Sequence, residues 1–127
     1  MHEYRFLVLK EIKLMDRLDK NLSDFRGRLN HLSRTKLIEQ AAQIAAVAEV
    51  YSYMSSVYEW RHEDEVDYFL LFADPLTLVA DIWAEHRGVG VLDVEMAMWK
   101  AFGDETLLSD YPLDVIPCGI IYEYQLV

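Results

Sequence analysis

Between Met15 and Leu32 the chain reads MDRLDKNLSDFRGRLNHL, and this stretch decides the fold. Met15, Leu18, Leu22, Phe25, Leu29 and Leu32 follow one another at spacings of 3, 4, 3, 4 and 3. That spacing puts an apolar seam along one side of a long helix packed against other helices. Val8 and Ile12 extend the stripe upstream with a slip in phase. Asp16 with Lys20 and Asp24 with Arg28 stand four apart in the favourable order, each adding a few tenths of a kcal/mol. Gly27 is the weak position, about 1 kcal/mol worse than Ala in a helix interior, and a bend or an end is expected there. Together, residues 1–32 read as one basic amphipathic helix.

Downstream, Ser33 suits the N-cap of a second helix over residues 34–57. Its middle, AAQIAAVAEVY at residues 41–51, is small and apolar on nearly every side, which places it at the centre of a bundle. Arg61 to Asp67 reads as a link or helix start, with Asp64 capping the apolar run Val66 to Ala73. Asp74 before Pro75 is a strong start signal: a capping carboxylate, then a proline whose missing N–H costs nothing at the first helical position. That helix is expected to run to Gly88 with Leu78, Val79, Ile82, Trp83 and His86 on one side. After Gly88-Val-Gly90, a further helix spans Val91 to Phe102, closed by Gly103, with Val91, Val94, Met98, Trp99 and Phe102 as its apolar face. Pro112 and Pro117 break the helical pattern, and IIYEYQLV at residues 120–127 has strand composition, to be paired with Leu113 to Ile116 or with another chain. The expected fold is mainly α, a single-domain bundle of about five helices over residues 1–127. Its Pro-containing tail, 104–127, carries a short β-strand or hairpin.

Charge divides the chain. Residues 1–36 hold nine basic and five acidic side chains, whereas residues 37–127 hold three basic and seventeen acidic ones, for a net charge of −10. A positive helix joined to a negative body packs on that body, on a second copy or on an acidic partner. The acidic balance argues against direct nucleic-acid binding and permits the reverse, carboxylates imitating phosphates. No stretch reaches the roughly 20 apolar residues of a bilayer span, and the apolar run Phe6 to Leu9 is too short for a signal-peptide core. One cysteine, Cys118, favours a reducing compartment. A cytoplasmic protein without membrane contact is expected.

Candidate chemistry is sparse. His62-Glu63 begins a zinc-protease motif, but Val66 stands where the second histidine is required. Neither a calcium loop nor a phosphate loop follows. Glu85-His86, with Asp81 four residues before, could supply an acid and a base, yet a histidine near a helix C-terminus is accounted for by the helix dipole. Cys118 has no basic neighbour to activate it, and no serine sits in a nucleophile motif. No catalytic residues, cofactor or metal ligands are expected. Tyr51, Tyr53, Tyr58 and Trp60 gather before the acidic stretch, where repulsion of phosphate favours core or interface over base stacking.

LIEQAAQIAAVAEVYSYM (37–54), ADPLTLVADIWAEH (73–86) and LDVEMAMWKAF (92–102), in that order after a charged helix, resemble a family of small acidic helical domains of unknown function from intestinal bacteria. The matching positions are Ile38, Glu39, Ala41, Pro75, Leu76 and Trp83, within residues 16–102, and the tail from Asp104 lies outside the resemblance. The family has no assigned activity to carry over. Its likeness to accessory proteins of mobile elements implies a regulatory or inhibitory binder.

The expected function is therefore non-enzymatic: a protein-protein interaction module, self-associating or binding a protein partner. Its contact residues are expected to be Leu18, Leu22, Phe25, Leu29, Tyr58 and Trp60. An acidic nucleic-acid mimic is the alternative, and a small hydrolase-like enzyme a more distant third. Burial of the seam predicts that Leu22→Ala costs about 2–5 kcal/mol.

Overall fold

The computed structural model describes residues 2–85 and 93–114, and these form a helical bundle. Its elements are α1 (His2–Leu29), α2 (Arg34–Glu39), α3 (Ala41–Ser52) with a π-helical turn at Tyr53–Val57, α4 (Glu63–Leu70), α5 (Pro75–Glu85), α6 (Val94–Phe102) and α7 (Leu107–Asp110). No strand occurs among the described residues. Ile120 to Val127, Cys118, His86 and the Gly88–Gly90 break lie outside them.

Helix α5 is the hub, packing against α1, α3 and α6. Leu76, Leu78, Val79 and Ala80 are fully buried and Ile82 nearly so, a content that suits a helix with neighbours on several sides. Asp74 starts it as its sequence demands, taking the Thr77 backbone N–H at 2.9 Å and the Thr77 hydroxyl at 2.8 Å. Helix α3, expected at the centre of the bundle, does not lie there. Only Ala46, Val47 and Val50 of α3 are buried, while Ala41, Ala42, Ala45 and Ala48 are exposed, because α3 packs on α5 through one face and meets α1 over only part of its length.

Helix α1, 28 residues and about 42 Å long, lies across α3, α4 and α5. Its buried line is Leu14, Leu18, Asn21 and Phe25, with Met15, Leu22 and Leu29 half-buried beside it. The seam is thus rotated from the one expected. A helix seated on three neighbours buries a wide face rather than a single a/d edge. Gly27 is exposed, and α1 runs two residues past it before ending. The expected helix 34–57 is kinked at Gln40 (φ −98°, ψ 12°), although hydrogen bonds continue through the kink, from Gln40 to Lys36 and from Ile44 to Gln40. Ser33 caps it through the Lys36 N–H at 3.3 Å.

Three other expectations change. Helix α4 begins at Glu63 with His62 as its cap residue, so Asp64 sits in the first turn, where a carboxylate favours the positive end of the helix. Asp93 caps α6 through the Met96 N–H at 2.8 Å, and the buried face of α6 is Val94, Ala97, Met98 and Ala101. Trp99 and Phe102, expected on that face, are 57% and 39% exposed. Leu113 forms a single antiparallel bridge with Phe72, flanked by Ala73 N–H to Pro112 C=O (3.0 Å) and Asp114 N–H to Leu71 C=O (2.8 Å).

The basic helix packs on its own body. Lys10 pairs with Glu63 and with Asp67 on α4, the latter at 3.0 Å. Arg17 donates to the carbonyls of Leu70 and Phe72 and to the Asp114 carboxylate. Among the described residues, no helix is long and apolar enough to cross a membrane.

Candidate binding groove between the π turn and helix α6

A concavity of about 610 Å³ opens where α3 gives way to the chain leading into α4. It is lined by Tyr53, Val57 and Tyr58 of the π turn and its exit, by Glu59, Arg61 and His62 of the following loop, by Glu65 of α4, and by Glu95 and Trp99 of α6. Its size falls within the roughly 300–1,000 Å³ typical of ligand sites.

The π turn shapes this groove. Tyr58 N–H donates to Tyr53 C=O at 2.8 Å, closing a turn one residue wider than an α-helical one. In an α-helix, residues five apart lie about 140° apart around the axis. The wider turn instead brings Tyr53 and Tyr58 together, ring centroids 6.1 Å apart. The chain then leaves in extended conformation at Tyr58, which frees the Met54 carbonyl from its helical partner. The Trp60 indole N–H takes that carbonyl at 3.0 Å. Trp60 in turn packs edge-on against Tyr58 (4.8 Å) and Phe69 (5.9 Å), joining the groove wall to the core.

Two carboxylates line the groove, each held by a phenol. Tyr53 donates to Glu95 Oε2 at 3.2 Å, and Tyr58 donates to Glu65 Oε2. Burial raises the Tyr58 phenol to about 12, and the bond to Glu65 adds to this while hydrogen bonding from Trp99 works the other way. Burial and then the Glu95 bond raise Tyr53 as well. Both hydroxyls therefore remain donors through neutral pH. Arg61 pairs with Glu59 in full solvent. Two apolar side chains of the lining are exposed, Val57 at 60% and Trp99 at 57%.

The contact residues expected from sequence are distributed differently. Tyr58 lies in the groove. Leu18, Phe25 and Trp60 are core residues, 0%, 8% and 6% exposed, so their apolar surface is already covered by the chain's own body. Leu22 and Leu29 are half-buried at the margin of α1. Leu22 lines a smaller hollow of 520 Å³ with Asp19, Ser23, Arg26, Gly27, Asn30 and Tyr51. Glu95 is absent from the expected contact residues, Trp99 was expected on the apolar face of its helix, and Tyr53 was expected only within the aromatic cluster of core or interface residues. The signal for Trp99 was present: Val94, Ala97, Met98 and Ala101 make a sufficient buried face without it.

The other polar candidates have structural partners. Asp81 accepts from Gln43 at 2.8 Å through one oxygen and from Tyr111 at 2.9 Å through the other. Of the carboxylates that mimicry would need on one face, Glu63 and Asp67 turn to Lys10, Glu65 to Tyr58 and Asp81 to Gln43 and Tyr111, in three separate settings. No group of three or more His, Cys, Asp or Glu side chains placed to hold a metal ion occurs among the described residues. No protein-family model, curated protein or solved structure matches the chain.

Proposed function

We propose that the protein is a non-enzymatic interaction module that holds a basic segment of a partner protein in the groove between the π turn and α6. The observation that carries this reading is the joining of three exposed or half-buried aromatic rings, Tyr53, Tyr58 and Trp99, with the carboxylates Glu65 and Glu95 in one concavity. Aromatic faces and carboxylates both attract cations, and the exposed Val57 and Trp99 side chains favour a polypeptide over a free ion. A cytoplasmic partner fits the single cysteine.

Titration with a short peptide of mixed arginine and lysine, against an acidic peptide of equal length, tests the reading. Saturable binding of the basic peptide alone is expected, lost in Trp99→Ala and weakened in Glu95→Gln. Binding indifferent to both substitutions overturns it.

Self-association is a second reading with an observation of its own. Arg26, Arg28, Arg34 and Lys36 are exposed around the turn from α1 to α2 and offer such a segment to the groove of another copy. Light scattering across concentration at low and high salt tests it: a salt-sensitive rise in mass is expected, and a constant monomer excludes it.

A further inference from the structure

This inference rests on the reading just given and names the chemistry of the groove's anchor. We propose that the anchor takes the guanidinium group of an arginine in the partner segment in preference to the ammonium group of a lysine.

Three features point to a planar, weakly hydrated cation. Trp99 lines the groove and is 57% exposed, and a guanidinium stacks on indole where an ammonium makes only a point contact. Glu95 and Glu65 come from different helices, α6 and α4, and each is fixed through Oε2 by a tyrosine hydroxyl. Two separated, preoriented acceptors suit a rigid fork of five donors, which can satisfy both at once while lying against a ring. The groove's own cation does not compete, since Arg61 is engaged by Glu59 on the outer edge.

Openness decides against the two alternatives. An ammonium keeps its hydration shell in an open groove and loses little by staying in water. A quaternary ammonium offers the two carboxylates no hydrogen-bond donor.

The test compares a short arginine peptide with its lysine counterpart on the full chain, reading affinity by calorimetry and the site by the Trp99 indole N–H resonance. The arginine peptide should bind about fivefold more tightly, the difference made by one good cation–π stack, and should shift the Trp99 resonance. Trp99→Leu should abolish that preference, and Glu95→Gln should weaken arginine binding while retaining some preference. Both side chains lie at the surface, so a thermal melt checks that each variant is folded. Equal affinity for the two peptides, with the Trp99 resonance shifting, overturns the guanidinium preference and leaves the interaction module standing. Failure of both peptides to bind overturns both readings. Arginine preference that survives Trp99→Leu places the anchor elsewhere and overturns the inference alone.

Discussion

Arg17 and Asp114, 97 residues apart in the chain, meet as an ion pair with Nη2 2.7 Å from Oδ2. The same guanidinium holds the carbonyls of Leu70 and Phe72, so one side chain of α1 fastens both the end of α4 and the last described turn. Arg17→Ala leaves two carbonyls and a carboxylate without their donor and should cost about 2–4 kcal/mol. Arg17→Lys should recover little, because an ammonium cannot reach three acceptors in fork geometry. Asp114→Asn, which keeps both carbonyl bonds, should cost only about 1 kcal/mol. Urea unfolding of the three variants measures the order, and a milder effect for Arg17→Ala than for Asp114→Asn would show that the carbonyl bonds contribute nothing.

Burial on α1 separates two leucines that the sequence treats alike. Leu18 is wholly enclosed whereas Leu22 is half-buried beside an open hollow. Leu18→Ala should cost about 2–5 kcal/mol through lost transfer energy and a cavity. Leu22→Ala, next to solvent, should cost about 1–2 kcal/mol. The larger loss expected for Leu22 from spacing alone is revised accordingly. Equal denaturation midpoints for the two variants would contradict the rotated seam.

Gly27 lies in the last turns of α1 with open space where a Cβ would go, nothing standing within 4 Å. Gly27→Ala should therefore stabilise by about 0.5–1 kcal/mol, by restricting the unfolded chain and raising helix propensity. A fall in melting temperature would mean that the added methyl meets a contact absent from this structure.

Alkali should unfold the protein in a defined window. Burial first, and then carboxylate hydrogen bonds, raise Tyr58 and Tyr111 from the ordinary phenol value of 10.0 to about 12. Groups with raised folded values contribute stability that is complete below pH 10 and is lost as pH climbs through about 12. Lys10 acts in the same sense: burial lowers its value, but the hydrogen bonds to Glu63 and Asp67 outweigh that and the net shift is upward. Thermal melts across this range should show a steep loss, made shallower by Tyr58→Phe and Tyr111→Phe, while phenolate absorbance should show a late-titrating component that each of these substitutions reduces. A flat stability profile there would refute the assignment.

Local signals in the sequence were readable because their causes are local. Asp74 caps Thr77 three residues on, and Ser33 caps Lys36 likewise, so the pattern contains both partners. The existence of helices over residues 2–29, 75–85 and 94–102 follows from periodicity in the same way. Phase is different: whether Leu14 or Leu22 faces inward depends on where α3, α4 and α5 lie, which spacing within α1 does not contain. The alanines of α3 illustrate the same gap, since a small apolar residue is equally at home inside and outside. The groove was the least legible part. Tyr53 and Glu95 are 42 positions apart, and the turn that aims Tyr53 and Tyr58 to one side has neither the helix period nor the strand period.

The π turn also makes the groove a property of backbone path. At their five-residue spacing Tyr53 and Tyr58 share a face because the turn between them is wide, and an ordinary α-helical path through the same residues would set them about 140° apart. Every wall residue would then be retained and the tyrosine pair still be lost. Removing one residue between them would leave the two four apart, about 40° on an ordinary turn, and back on one face. The binding surface is thus encoded in the pairing of turn width with residue count, and neither one alone specifies it.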